Sequence, residues 1–93
     1  MITPSSRPRL APKVRLRRDA QSGRCLLLYP EKGMQLNGTA ADIVQLCDGE
    51  RTFADIVSAL ADKYSPKPRD AIADEAVRFL EALEARLLIR FES

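Results

Sequence analysis

Histidine and tryptophan do not occur in this chain, and cysteine occurs only twice. The missing histidine removes the commonest general base and the commonest metal ligand. Cys25 and Cys47 form no CxxC and have no ligand cluster near them, which argues against a zinc site. They read as small buried apolar residues, since nothing around them would lower a thiol pKa. Glycine is scarce as well, with four residues. The chain has no Gly-rich phosphate loop, no GxSxG, and no nucleophile beside a plausible base. These absences point away from an enzyme and from a bound metal or cofactor. No run approaches the ~20 apolar residues of a membrane span. The first eighteen residues are basic but lack the apolar stretch of a secretory signal, so the expected compartment is the cytoplasm.

What is present fits one small domain: 93 residues, 45% apolar and 30% charged. The stretch CLLLYPEKGMQLNGTAADIVQLCDG, Cys25 to Gly49, organises the rest. Cys25 to Tyr29 is nearly continuously apolar. Pro30-Glu31-Lys32-Gly33 is turn chemistry. Met34 and Leu36 then alternate with Gln35 and Asn37, the period of a half-buried strand. Thr39 stands three residues before Asp42, which predicts a capping-box variant opening a helix that stops near Gly49.

Upstream, Met1 to Arg9 is rich in Pro, Ser and Arg and reads as a flexible N-terminal arm. Leu10, Pro12, Val14 and Leu16 alternate with polar or small residues, predicting a strand that lies at an edge or carries Pro12 near its start. Downstream, Thr52 and Asp55 repeat the capping spacing. Phe53, Ile56, Val57, Leu60, Ala61 and Tyr64 follow helical spacing without a miss. A third helix runs from about Asp70 to Arg86, and Leu87 to Phe91 reads as a short strand. The apolar arc of the third helix is wider than core contact alone requires. Either it is buried between two neighbours, or one flank faces something outside the core. The expected fold class is α+β and winged-helix-like: a three-stranded antiparallel meander followed by three helices. Residues 1–9 are the arm, and 10–93 form a single peptide-binding domain.

The net charge of +2 conceals an asymmetry, because Arg7, Arg9, Lys13, Arg15, Arg17 and Arg18 all precede the first acid, Asp19. This is either a solvated strand face that blunts an edge or a patch for an acidic partner. A winged-helix shape raises DNA binding. However, the third helix carries Asp70, Asp74, Glu75, Glu81 and Glu84 against Arg78 and Arg86, which suits a phosphate backbone poorly. A short meander has exposed edges, and an edge strand beside a helix with surplus apolar width suits β-augmentation by an extended peptide.

Three segments carry a family resemblance: LYPE at Leu28 to Glu31, LNGTA at Leu36 to Ala40, and LCDG at Leu46 to Gly49. In order and spacing, from about Pro8 to Ile89, the chain resembles the PqqD family of small peptide chaperones in pyrroloquinoline quinone (PQQ) biosynthesis. Cys25 departs from the family pattern, where a bulkier, often aromatic residue is common, and this bears on packing of the strand. The resemblance implies binding of the precursor peptide PqqA and its presentation to the radical SAM enzyme PqqE, which joins a Glu and a Tyr side chain of the peptide. It implies a peptide strand added along Lys32, Gly33, Met34, Gln35 and Leu36, in a groove walled by one flank of the third helix. The flank expected is Ala73, Val77, Leu80 and Glu84, with the opposite flank, Phe79 and Arg86, as the alternative. Met34 and Leu36 point inward and offer backbone, while Arg15 and Arg17 are candidate partner contacts or solvated charge. The alternatives are a recognition module for another modified-peptide pathway and a DNA-binding winged helix. An exposed edge leaves both monomer and homodimer open.

Overall fold

The alternating segment from Leu10 to Arg17 is not one strand. In the computed structural model, which describes residues 2–29 and 32–92, it breaks at Ala11-Pro12-Lys13. Val14 N–H donates to Ala11 C=O at 3.1 Å, and Lys13 has φ of 71°. Proline second in a tight turn and a left-handed residue third is the type II arrangement. The turn separates β1 (Arg7–Leu10) from β2 (Arg15–Arg18), which join different sheets. Part of the segment read as an arm is therefore strand.

β1 pairs antiparallel with β5 (Ile89–Glu92) in a two-stranded sheet. β2, β3 (Cys25–Tyr29) and β4 (Lys32–Leu36) form the expected three-stranded antiparallel meander, with β3 in the centre. The register sets Cys25 opposite Leu36, and Leu27 opposite both Leu16 and Met34. That row faces the core. Cys25, Leu27 and Leu36 are buried. Pro30 and Glu31, read as the turn between β3 and β4, lie outside the described residues.

Three helices follow: α1 (Gly38–Gln45), α2 (Phe53–Lys63) and α3 (Arg69–Ala85). Thr52 and Asp55 form the expected capping box. Asp55 N–H donates to Thr52 Oγ1 at 3.1 Å, and Thr52 N–H donates to Asp55 Oδ2 at 3.0 Å. The expected box at Thr39 and Asp42 does not form. Asn37 caps α1 instead, accepting from Ala40 N–H at 2.8 Å. Asp42 is engaged elsewhere: Lys63 Nζ lies 2.9 Å from its Oδ1, and the Tyr64 hydroxyl donates to its Oδ2. α3 has Pro68 at its N-cap, with no side-chain hydrogen bond.

One hydrophobic cluster joins the layers. Leu27, Ile43, Ile56, Leu60, Leu80 and Leu83, with Pro8, are the most deeply buried large side chains. At ~1.5–3 kcal/mol per fully buried aliphatic side chain, this shared core is the main favourable term.

Candidate functional site

β4 gives one side of its backbone to β3, and among the described residues no strand pairs with the other side. An unpaired edge is a row of unanswered N–H and C=O groups, open to an added strand. Along β4, Leu36 is buried and Met34 half-buried, while Lys32, Gly33 and Gln35 are exposed. The side chains of Met34 and Leu36 thus belong to the core, and what β4 offers is mainly backbone.

Where β4 ends, Asn37 turns the chain into α1, and a cavity of about 300 Å³ opens between α1 and α3. Asn37, Thr39, Ala40 and Ile43 line one wall, and Glu75, Arg78 and Phe79 the other. A second depression, of about 390 Å³, continues along α3 past Ala71 and Asp74. Open edge and cleft together make a place where an extended chain could pair and lay side chains against Phe79.

The flank of α3 at this cleft differs from the one first expected. Ile72, Ala76, Leu80 and Leu83 form the buried row of α3. Leu80 is 0% exposed and is core, unable to touch a ligand. Ala73 and Val77 are half-buried and Glu84 is exposed, and none of them lines the cleft. At ~100° per residue they lie on one side of the buried row, with Glu75, Phe79 and Arg86 on the other. The structure brings Phe79 to the cleft, but Arg86 is not among its lining residues. Glu75, Arg78 and Asn37 also line the cleft and are not among the site residues expected from the sequence. The 75–79 spacing of i, i+4 was the available signal for Glu75 beside Phe79.

Arg15 and Arg17 are exposed on β2, across β3 from the open edge of β4. The structure does not bring them to the cleft.

The chemistry of the surroundings is structural. Glu75 pairs with Lys67 at 2.9 Å, which leaves Arg78 as the cleft cation outside the ion pairs among the described residues. Burial pushes the Cys47 thiol up to about 12, aided by the Asp48 carboxylate, and its Sγ lies 3.2 Å from Ile43 C=O. A thiol so protonated is no nucleophile at neutral pH. Burial alone would raise the Asp42 carboxyl, but hydrogen bonds from Tyr64 and Lys63 outweigh it and hold the group below its ordinary value.

Comparison with known proteins gives a consistent picture. The family model for Coenzyme PQQ synthesis protein D (PqqD) matches residues 24–89. The PqqA binding protein of Rhizobium meliloti (strain 1021) is 36% identical over 89 residues, which is 96% of this chain and 90% of that protein. The PqqA binding protein of Bradyrhizobium diazoefficiens is 33% identical over 82 residues, covering 88% and 79%. Among solved structures, the fold is similar to the PqqD truncation of Methylobacterium extorquens PqqCD, determined by solution NMR. That protein is described as a functional and stand-alone recognition element for ribosomally synthesized and post-translationally modified peptides. The TM-score is 0.81 at 28% identity, covering 97% of this chain and 95% of that one. The fold is also shared by TbiB1, solved in complex with the TbiA(β) leader peptide. There the TM-score is 0.75 at 20% identity, covering 88% of this chain and 94% of that one.

Proposed function

Since this chain belongs to the PqqD family, we propose that it is a non-catalytic peptide chaperone of PQQ biosynthesis. It binds the precursor peptide PqqA and presents it to the radical SAM enzyme PqqE for Glu–Tyr cross-linking. The observation that carries this reading is the unpaired edge of β4 beside the cleft at Phe79. The peptide adds as a strand along Lys32 to Leu36 and gains main-chain hydrogen bonds, while its side chains enter the cleft. Phe79 supplies apolar contact. Arg78 and Glu75 supply charge, and Arg78 suits an acidic residue of the peptide. The names and descriptions of the relatives support peptide binding, since they are PqqA binding proteins or recognition elements. Arg15 and Arg17, away from the cleft, face the receiving enzyme.

The test is an NMR titration of the labelled protein with synthetic precursor peptide, with and without the radical SAM partner. Amide shifts along Lys32 to Leu36 and at Glu75, Arg78 and Phe79 are expected. No shifts, with or without the enzyme, would overturn the reading and favour the leader peptide of another pathway.

A further inference from the structure

β3 is apolar at nearly every position, CLLLY. A continuous apolar strand belongs to a sheet covered on both faces, whereas an antiparallel sheet with one solvated face alternates. β3 sits in the centre of an antiparallel sheet, and its two faces are unequal. Cys25 and Leu27 are buried on the inner face, while Leu26 and Leu28, on the outer face, are only partly covered. Beside them lies a cavity of about 410 Å³, lined by Leu26, Leu28, Arg17, Arg18 and Gln21 among others. The register places Arg17 opposite Leu26 and Arg15 opposite Leu28. On the far side Gln35 and Gly33 complete the two rows. Leu28 leans over Gly33, where a Cβ would come within 3.3 Å of its Cδ2.

The result is a leucine floor with an arginine border. Among the described residues Arg15, Arg17 and Arg18 form no salt bridge. One acid, Asp19, also lines the cavity and feels the Arg17 charge. Its carboxylate is hydrogen-bonded within its own turn, accepting from Gln21 N–H and Ser22 Oγ, each at 3.0 Å, so a single carboxylate stands against three arginines.

We propose that this outer face is a second docking surface, and that it takes an acidic amphipathic segment of a partner protein, leucine-type side chains on Leu26 and Leu28 and carboxylates on the arginines. Charge complementarity identifies the occupant: the floor demands apolar groups, and the border demands several anions around them. The proposal rests on the chaperone reading, because a protein that holds a peptide on one edge needs a separate surface for the protein that receives it.

The test uses the labelled full chain and a helical peptide with leucines along one face and glutamates flanking them. The same peptide with lysines in place of glutamates is the control. Shifts at Arg15, Arg17, Leu26 and Leu28 are expected with the glutamate peptide alone, weakening as salt is raised. The double variant Arg15→Glu and Arg17→Glu should lose about tenfold or more in affinity. It should keep its precursor-peptide shifts along β4. Leu26→Ser, on the outer face, should lose the probe while keeping a native spectrum. Three results would overturn the proposal: no shifts on the face with the glutamate peptide, equal binding of the lysine peptide, or shifts there that grow with protein concentration alone. The last would assign the face to a second copy of this chain. Loss of the β4 shifts with precursor peptide in the parent protein would instead overturn the chaperone reading and leave the outer face standing.

Discussion

A single carboxylate ties α1 to the end of α2. The Asp42 side chain is 16% exposed and receives both Lys63 and the Tyr64 hydroxyl. A hydrogen bond to a charged group contributes roughly 1.5–3 kcal/mol. Tyr64→Phe should therefore lower stability by about 1–2 kcal/mol, measured by urea unfolding. The pH dependence follows from the direction of the Asp42 shift. Its carboxyl is held below the ordinary 3.8. The folded state thus gains from ionisation above that pH and loses the gain as pH falls through the lower folded value. The stability difference between the parent and Asp42→Asn should be full at pH 7 and shrink at about pH 3. An unchanged difference at the two pH values would show that Asp42 acts through packing alone. A second residue departs from local preference. Leu87, just past α3, has φ of 63° and is 81% exposed. The left-handed region costs a β-carbon-bearing residue roughly 1–2 kcal/mol. Leu87→Gly should raise stability by about 0.5–1 kcal/mol, visible as a higher melting temperature.

Elements differ in how far local sequence determines them. α2 was legible from start to finish, because its cap and its apolar spacing are local: Thr52 and Asp55 close the box, and Phe53, Ile56, Val57 and Leu60 are buried. α1 misled because Asn37 and Thr39 can both cap a helix. The choice rests on a tertiary contact, with Asp42 drawn away by Tyr64. The strand over Leu10 to Arg17 misled because period two continues through a turn. Only the distant partner β5 reveals that Arg7–Leu10 pairs elsewhere. For α3, periodicity gives a buried stripe but not which neighbour borders each flank, so the expected wall of Ala73, Val77 and Glu84 and the cleft at Phe79 fall on opposite sides of Leu80. The binding proposal is tested at this scale. Phe79→Ala should weaken precursor-peptide binding about tenfold, whereas Val77→Ala should leave it within about twofold. Equal losses would show that the cleft does not discriminate the flanks. Gln35→Pro removes an N–H from β4 and constrains its backbone. It should weaken the peptide more than Arg17→Ala does, by titration calorimetry. If both variants fold and bind like the parent, β4 is not the edge used.

For the whole molecule, the N-terminal segment closes the domain. Pro8 is among the most deeply buried side chains, and β1 pairs with β5 at the other end of the chain. Ahead of β1, Phe53 N–H donates to Ser6 C=O at 2.7 Å and Ala54 N–H to Pro4 C=O at 3.0 Å. These are among the first N–H groups of α2, which have no partner inside the helix. Gly49 N–H donates to Pro8 C=O at 2.9 Å, in the connection between α1 and α2. The segment thus joins the end of the chain, the start of α2 and the bend before it. Removing residues 1–10 would leave β5 unpaired, expose Ile89 and orphan those donors. Each lost hydrogen bond costs ~1 kcal/mol and a lost buried side chain ~1.5–3 kcal/mol. The truncation should therefore lower stability by at least about 3 kcal/mol, a large share of what a small domain holds. Peptide affinity should fall with the folded fraction, without any direct contact from the deleted residues. Unfolding followed by circular dichroism, with and without precursor peptide, separates the two effects. If the truncated protein melts like the parent but loses the peptide, the segment is a binding arm. If it melts early and regains stability when peptide is added, it is the clamp that its hydrogen bonds describe.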